Sequence, residues 1–180
     1  MTEQHVIHDN QTEGISPEEF KAAFRQHPGG VAVITGDDGT GPVAMTVTSV
    51  FSVSAEPPVL VFSMSEMSSA AATLKNAQTL VVHLLAPRNK DLAVLAATHG
   101  ADRFGADVKW GRLPTGEPYY TDVPTWIRGQ IVDELKIGGN TVVALHALET
   151  QLPQGKDVEA SLVYFNRSWH ELSAHSELSD

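Results

Sequence analysis

Short hydroxyl side chains are concentrated in one segment of this chain, which reads A-M-T-V-T-S-V-F-S-V-S-A-E-P-P over residues 44–58. Between residues 43 and 54 the larger apolar residues fall mostly at odd positions, and alternation with a period of two predicts a half-buried strand. The opposite face, which includes Thr46 and Thr48, offers hydrogen-bond donors and acceptors without charge or bulk. Such a face is suited to a planar polar ligand, although threonine and serine also suit an ordinary exposed strand.

A second group of hydroxyls follows a predicted buried strand, in the segment S-E-M-S-S-A-A-A-T over residues 65–73. A turn from a strand into a helix presents free backbone N–H groups, and Ser68, Ser69 and Thr73 add side-chain donors. The segment is therefore a candidate site for the phosphate of a mononucleotide, without the lysine of a P-loop. The alternative is that Ser68 only caps the helix.

Arg103 and Phe104 lie side by side in a loop-like segment over residues 101–120. An arginine next to an aromatic ring can cover a flat heterocycle, the first by its charge and the second by stacking. The alternative is that Phe104 anchors the loop in the hydrophobic core.

Other catalytic signatures are absent from the sequence. There are no cysteines, and the eight histidines form no H-E-x-x-H pair, so we expect no metal site. No G-x-S-x-G elbow marks a hydrolase, and the glycines of residues 36–41 are better explained by a hairpin turn than by a nucleotide-binding loop. His83, within a predicted strand, is more simply a hydrogen-bonded, partly buried histidine than a metal ligand.

The composition limits the classes of function. The 180 residues include 12 basic and 22 acidic side chains, and the net charge of −10 argues against binding to nucleic acid or to an anionic membrane. No apolar run approaches the roughly 20 residues of a membrane span. The first residues, M-T-E-Q-H-V-I-H-D-N, lack the pattern of a signal peptide. We therefore expect a cytoplasmic globular protein.

The elements that must position these residues are mainly strands. Ser16-Pro17-Glu18-Glu19 predicts a helix start with a capping box, and further short helices are predicted over residues 68–76 and 90–98. Six or seven strands without a βαβ rhythm favour a barrel or sandwich with accessory helices. We expect one such domain over residues 15–172, between a flexible arm (1–14) and a flexible acidic tail (173–180). The predicted strands cover residues 31–35, 43–53, 59–64, 79–85, 125–136, 141–152 and 161–170.

Taken in order, several segments resemble the flavin reductase family, the small reductase components of two-component flavin-dependent monooxygenases. The resemblance implies a six-stranded Greek-key split β-barrel of the FMN-binding type, which forms a homodimer. It implies hydride transfer from NADH or NADPH to FMN, with FAD as the other candidate, and a partner monooxygenase that receives the reduced flavin. The segments are F-K-A-A-F-R-Q-H-P-G-G-V-A-V-I-T (20–35), G-P-V-A-M-T-V-T-S-V-F-S-V-S-A-E-P-P-V-L-V (41–61), T-L-V-V-H-L-L (79–85), D-R-F-G-A-D-V-K-W (102–110), G-G-N-T (138–141) and L-V-Y-F-N-R-S-W (162–169).

The resemblance also implies which residues bind the flavin. Residues 46–49 would line the pyrimidine side of the isoalloxazine, residues 63–65 would run beneath the ring, and three hydroxyls of residues 68–73 would hold the phosphate. An aromatic side chain would approach the face of the flavin or nicotinamide. The full set of implied cofactor-binding residues is Thr46, Val47, Thr48, Ser49, Ser63, Met64, Ser65, Ser68, Ser69, Thr73 and Phe104.

This chain departs from the family pattern in three places. Val47 and Thr48 stand where the family usually has Ala-Asn, His83 where it has Asn, and Asn140 where it has a histidine beside the nicotinamide. Asn140 and His83 are therefore our candidate catalytic residues, on the hypothesis that His83 reaches into the same pocket. We expect an NAD(P)H:flavin oxidoreductase, and we favour FMN because no adenine-specific element is evident. The alternatives are a flavin carrier without reductase activity, a related barrel that uses a deazaflavin, and a barrel without a ligand.

Overall fold

The computed structural model describes residues 14–153 and 159–178, so residues 1–13 of the predicted arm lie outside it. Within the described residues the helices are α1 (Pro17–Phe24), α2 (Ala71–Asn76) and α3 (Lys90–Ala97), and none of them is long and apolar enough to cross a membrane. Single 3₁₀ turns cover Pro87–Asn89 and Ala174–Ser176. The strands are β1 (Gly29–Gly30), β2 (Ala32–Gly36), β3 (Val43–Val47), β4 (Phe51–Ala55), β5 (Pro58–Ser65), β6 (Thr79–Leu84), β7 (Trp110–Arg112), β8 (Pro118–Tyr120), β9 (Thr125–Ile137), β10 (Asn140–Gln151), β11 (Ser161–Phe165) and β12 (Ser168–Leu172).

Seven antiparallel strands form the main sheet, in the order β3-β2-β6-β9-β10-β5-β4. Its two edge strands, β3 and β4, are consecutive in the chain and are joined by residues 48–50. Four Cα steps span at most about 15 Å, so the sheet must curl until its edges approach each other. The hydroxyl of Ser49 fastens this connection to β5, the neighbour of β4, because it accepts from the Ser63 N–H (2.9 Å) and donates to the Ser63 carbonyl (3.2 Å). We call residues 48–50 the seam of this split barrel.

The prediction of a mainly β barrel with accessory helices is confirmed. The single strand predicted over residues 43–53 is two strands, so the main sheet has seven strands where six were expected. The alternation also ends at the seam: Met45 and Val47 are buried before it, whereas Phe51 and Val53 are 60% and 56% exposed after it. The chain passes there from one edge of the sheet to the other, and a period-two pattern does not signal such a change.

Among the described residues, the two larger of three hydrophobic clusters pack against the main sheet, and the third is the small group of Val81, Leu113 and Trp126. The first collects side chains of β2, β3, β5, β6 and β10, including the fully buried Phe62 and Leu80, and is covered by α2. The second lies between the main sheet, α3 and a small sheet of β1, β11 and β12, and includes Tyr120. Tyr120 belongs to β8, which pairs with β7 inside the segment predicted to be a loop. This pairing and the second cluster hold the long segment that follows α3.

Helix α1 begins as predicted but is not packed into the core. The Ser16 hydroxyl accepts from the Glu19 N–H (3.2 Å), and the Glu19 carboxylate accepts from the Ser16 N–H (2.9 Å), which completes the capping box. No residue of the helix is buried, and the rings of Phe20 and Phe24 are 52% and 58% exposed. The helix therefore presents an aromatic face that no other described residue buries.

Candidate functional site

The seam brings the first group of hydroxyls to the place where the edges of the sheet meet. Thr48 is exposed and Ser49 is half-buried, and neither belongs to a strand, so their main-chain polar groups are not committed to strand pairing. Thr46 is less available, because its hydroxyl donates to the Ala93 carbonyl of α3 at 2.6 Å. Val47 is buried and can offer only main-chain atoms. Of the four residues predicted to line the ring, Thr48 and Ser49 are thus the most accessible.

The C-terminal end of β5 continues this accessible edge, because Ser49 is bonded to Ser63. Ser63 is half-buried and Ser65 is exposed, and the two residues share one face of the strand. Met64 points to the opposite face and is only 1% exposed, so it can offer a ligand no more than its main chain. Thr48, Ser49, Ser63 and Ser65 form a row of uncharged polar groups that we call the polar strip.

Residues 65–70, which we call the serine turn, connect β5 to α2. The helix follows Ala70, which is its N-cap, so Ser68 is not the cap; its hydroxyl instead accepts from the Ala70 N–H at 3.3 Å. Ser69 is exposed, and its hydroxyl accepts from Nη1 of Arg103 at 3.4 Å. The serine turn therefore offers hydroxyls together with a cation, which is the combination that recognises a phosphate.

The sequence did not predict that the side chain of Arg103 lies at the serine turn. Besides Ser69, its guanidinium donates to the Thr98 carbonyl at the end of α3 (2.9 Å), and its Nε is buried without a hydrogen-bond partner among the described residues. The side chain thus lies at the serine turn instead of extending over a heterocycle. Thr73, the third predicted phosphate ligand, is half-buried in α2. Because Arg103 and Ser69 are 34 positions apart, no local pattern could have paired them.

Phe104 packs within its own loop. Its ring is stacked on Tyr120, with 5.5 Å between centroids, and meets Trp110 edge-on at 5.0 Å. The Trp110 ring N–H donates to the Phe104 carbonyl (2.8 Å), and the Tyr120 hydroxyl donates to the Arg103 carbonyl (3.0 Å). This packing favours the alternative in which Phe104 anchors the loop, and its approach to a flavin stays a prediction. The same contacts fix the backbone of Arg103.

The structure places His83 in the buried core, contrary to the expectation that its side chain reaches into a nicotinamide pocket. His83 is fully buried, its Nδ1–H donates to the Val33 carbonyl (3.0 Å) and its Nε2 accepts from the Tyr120 N–H (3.0 Å). Burial lowers the pKa of His83 to about 4, so the ring is neutral near pH 7 and both of its nitrogens are used. His83 is therefore a structural link between β2, β6 and β8. Among the described residues, no group of three His, Asp or Glu side chains could hold a metal ion.

Asn140 lies beside the polar strip. It is exposed where the β9–β10 turn ends, and in the pairing of β10 with β5 it stands opposite Ser65. The Glu66 N–H of the serine turn donates to the Gly139 carbonyl at 3.1 Å, which joins the two turns. Since His83 is in the buried core, the structure does not bring the two candidate catalytic residues together.

The types of polar group in this site, and their order along the surface, fit a flavin mononucleotide. The polar strip suits the edge of a planar heterocycle, and the serine turn with Arg103 suits a terminal phosphate. Gly29 allows β1 to lie against the seam, because a Cβ there would be 2.9 Å from both the Cβ and the carbonyl oxygen of Thr48. The fold and the site together define a split barrel of the flavin-binding class.

Comparison with known proteins agrees with this class. The family model named flavin reductase like domain matches residues 24–173, and the chain belongs to this family. It is 40% identical over 148 residues to an NADH:FMN oxidoreductase of Rhodococcus erythropolis, a match that covers 82% of this chain and 76% of the relative. An FMN reductase (NADH) of Variovorax paradoxus is 27% identical over 176 residues, which are 97% of this chain and 96% of the relative. The crystal structure of a flavin reductase domain protein from Arthrobacter sp. FB24 is 32% identical, with a TM-score of 0.83 over 92% of this chain and 99% of its own.

Proposed function

We propose that this protein is an NADH:FMN oxidoreductase. The observation that carries the proposal is the pair of Arg103 and Ser69 at the end of the polar strip, in a chain that belongs to the flavin reductase family. A bound flavin would supply the redox chemistry as the acceptor of one hydride, which amounts to two electrons and one proton, from a reduced nicotinamide that is thereby oxidised.

The residues of the chain bind and orient the two reactants. Thr48 holds the edge of the flavin ring through its hydroxyl and main chain. Ser49, whose hydroxyl is bonded to Ser63, contributes main-chain groups, and Arg103 with Ser69 holds the phosphate. Asn140, next to Ser65, has both an amide donor and an amide acceptor with which to orient the nicotinamide carboxamide. A hydride step depends mainly on proximity and alignment, so an asparagine can replace the histidine that the family usually has here.

FMN is proposed over FAD because the contacts at the serine turn account for one terminal phosphate. Arg103 is held there from both sides, by the Thr98 carbonyl and by the Ser69 hydroxyl. NADH is proposed over NADPH because the relatives described above are named for NADH. NADPH and FAD therefore enter the test as comparison substrates.

We further propose that two copies of the chain form a homodimer. Large apolar side chains of β4, β9 and β10 are exposed, and a monomer rarely leaves extended apolar patches in contact with water. The exposed apolar residues are Phe51, Val53, Val132, Leu135, Ile137 and Leu148. A second copy that packed on these side chains would cover them. Sedimentation of the purified protein is expected to give a dimer, and a monomer would contradict the proposal.

A monooxygenase that receives the reduced flavin, and the cytoplasmic location, stay predictions from the sequence.

The test of the proposed activity is the oxidation of NADH by the purified protein, followed by the loss of nicotinamide absorbance. The rate is expected to depend on added FMN with saturation, to be lower with FAD, and to be lower with NADPH. No consumption of either nicotinamide at saturating FMN would rule out the reductase.

The alternative function is a flavin-binding protein without nicotinamide turnover, and Asn140 is the observation that favours it. In that case the fluorescence of FMN changes when the protein binds it, but no NADH is consumed. Asn140→His then offers a direct comparison. If this variant gains NADH oxidation that the unaltered protein lacks, the chain is a carrier and not a reductase.

A further inference from the structure

Arg103, the proposed ligand of the flavin phosphate, lies in a segment without regular secondary structure. Residues 101–108 belong to no helix or strand, and their main-chain hydrogen bonds are local, such as the one from the Val108 N–H to the Gly105 carbonyl (3.0 Å). A side chain on such a segment has many positions available, and the loss of that freedom on binding costs affinity. The position of Arg103 must therefore be set by contacts with the barrel.

The contact that reaches this segment from the barrel is made by Tyr120 of β8. Its hydroxyl donates to the Arg103 carbonyl at 3.0 Å, across 17 positions of sequence. Among the described residues, this is the one hydrogen bond between the main chain of Arg103 and a strand. The ring of Tyr120 also stacks on Phe104, the next residue, with 5.5 Å between centroids. Tyr120 thus holds the segment at Arg103 itself.

Tyr120 is in turn fixed in the interior. It is 1% exposed, its N–H donates to Nε2 of His83 (3.0 Å), and the two rings meet at an angle of 60° with 5.4 Å between centroids. Burial raises the pKa of the Tyr120 hydroxyl above its ordinary value, so the group keeps its proton and stays a hydrogen-bond donor near pH 7. A fixed donor in the core therefore determines where the main chain of Arg103 lies.

The far end of Arg103 shows that its side chain is constrained as well. Nη1 donates to the Ser69 hydroxyl (3.4 Å) and Nη2 to the Thr98 carbonyl (2.9 Å), whereas Nε is buried without a partner among the described residues. A buried donor without a partner costs free energy, which a side chain free to turn into solvent would avoid. The guanidinium therefore stays at the serine turn because both its main chain and its tip are held.

We propose that Tyr120 is a positioning residue for the flavin phosphate: its hydroxyl holds the main chain of Arg103, so that the guanidinium lies at Ser69 before FMN binds. This inference rests on the proposed function, because it supposes that Arg103 binds the phosphate. A group that is already in place loses less freedom on binding and gives a higher affinity. Tyr120 therefore contributes to the preference for FMN over riboflavin, although its own side chain is buried in the core.

The test is a fluorescence titration of the full-length protein with FMN and with riboflavin, which lacks the phosphate. Tyr120→Phe removes the hydroxyl and keeps the ring that packs on Phe104 and His83. It is expected to weaken FMN by roughly threefold to tenfold, which is the effect of losing one neutral hydrogen bond, and to leave riboflavin unchanged. Tyr119→Phe is the matched control, because the Tyr119 ring packs near Trp126 and its hydroxyl bonds to no described residue. Both flavins should bind this control as they bind the unaltered protein.

A second variant separates a positioning role from general support of the fold. Arg103→Ala removes the side chain that Tyr120 positions, so the addition of Tyr120→Phe to it should weaken FMN no further. In turnover with NADH, Tyr120→Phe should raise the KM for FMN by the same factor as it weakens FMN binding. The kcat should change little, because the residues proposed to hold the ring and the nicotinamide are unaltered.

Three results would overturn the inference. They are an FMN affinity of Tyr120→Phe equal to that of the unaltered protein, an equal weakening of FMN and riboflavin, and a further loss of FMN affinity when Tyr120→Phe is added to Arg103→Ala. The second and third would show that Tyr120 only stabilises the fold. If Arg103→Ala by itself leaves FMN binding unchanged, the phosphate lies elsewhere and the inference falls with that assignment. A protein that oxidises no NADH would refute the reductase alone, since the titrations still decide the role of Tyr120.

Discussion

The interior polar groups of this protein and those of the seam are arranged in opposite ways. In the interior, both ring nitrogens of His83 are bonded, and the Glu117 carboxylate receives hydrogen bonds from Thr79 (2.5 Å), from Arg128 (2.7 Å) and from Thr115. At the seam and the serine turn, Thr48 and Ser69 lie exposed.

The difference separates groups that hold the barrel together from groups that are available to a ligand. A buried polar group costs stability unless its partners are in place, so the interior groups are satisfied. The seam lies where the sheet changes edges, and its main-chain groups are free of strand pairing. Variants of the first region should therefore change stability, and variants of the second should change binding.

The largest expected effect comes from breaking the buried ion pair of Glu117 and Arg128. Burial opposes the charge of Glu117, but hydrogen bonds from Thr115, Thr79 and Arg128 outweigh it and lower the pKa to about 2. Arg128→Leu leaves this carboxylate without its cation and should lower the free energy of unfolding by about 3–5 kcal/mol. Urea denaturation measures the change. The matched control is Arg112→Leu, which breaks a more exposed pair with Asp37 and should cost about 1 kcal/mol or less; equal costs for both variants would contradict the comparison.

The next effect is a pH dependence that originates in His83. Its pKa is about 4 in the folded protein and near 6.5 when unfolded, so the unfolded state binds the additional proton between these values. The contribution of the neutral His83 ring to the free energy of unfolding is complete above about pH 6.5 and is lost as the pH falls towards 4. Between pH 7 and pH 5 this group should lower the free energy of unfolding by about 2 kcal/mol.

Denaturation of the unaltered protein and of His83→Asn at both pH values isolates this contribution. The variant should be less stable at pH 7 and should lack that part of the loss on acidification, because asparagine does not titrate. FMN affinity of the folded variant should be unchanged. A large loss of nicotinamide turnover with unchanged stability would restore the catalytic hypothesis for His83.

A smaller effect is expected where β1 meets the seam. Gly29→Ala would place a Cβ 2.9 Å from the Thr48 carbonyl oxygen, which must displace the seam at a cost of about 1–3 kcal/mol. We expect FMN affinity to fall more than in Gly30→Ala, since a Cβ at Gly30 meets no atom within 4 Å. Fluorescence titration with FMN compares the two variants. If both bind FMN as the unaltered protein does, the seam is not part of the flavin site.

The smallest effect concerns the phosphate alone. Arg103→Ala removes the cation at Ser69 and should weaken FMN by roughly tenfold, while riboflavin, which lacks the phosphate, should bind as before. Ser69→Asp should act in the same direction by repulsion. Arg112→Ala serves as the control for a lost arginine elsewhere. Equal weakening of FMN and riboflavin would place the phosphate away from the serine turn.

Local signals in the sequence predicted several elements correctly. The capping box of Ser16 and Glu19 predicted the start of α1, and runs of apolar residues predicted β5 and β6 within two residues of their ends. These features depend on neighbours in the chain. The hydroxyl-rich segment was also recognised as the region of interest, although it is two strands and a seam.

The features that the sequence did not predict depend on long-range pairing. The change of sheet edge after Val47 follows from which strands pair, and a periodic pattern is the same for either edge. The contact of Arg103 with Ser69 and the burial of His83 against Tyr120 likewise join residues more than 30 positions apart. The family's usual asparagine at position 83 suggested a site residue, but only the packing of β8 over β6 shows that the ring is enclosed.

The most direct test of the flavin site is a crystal structure of the protein with FMN. We expect the isoalloxazine along the polar strip at Thr48 and Ser49, the phosphate within hydrogen-bond distance of Arg103 and Ser69, and His83 without contact to the flavin. A phosphate bound instead by Arg25 of the α1 end and Arg167 of the β11–β12 turn, or a flavin ring remote from the seam, would contradict this assignment.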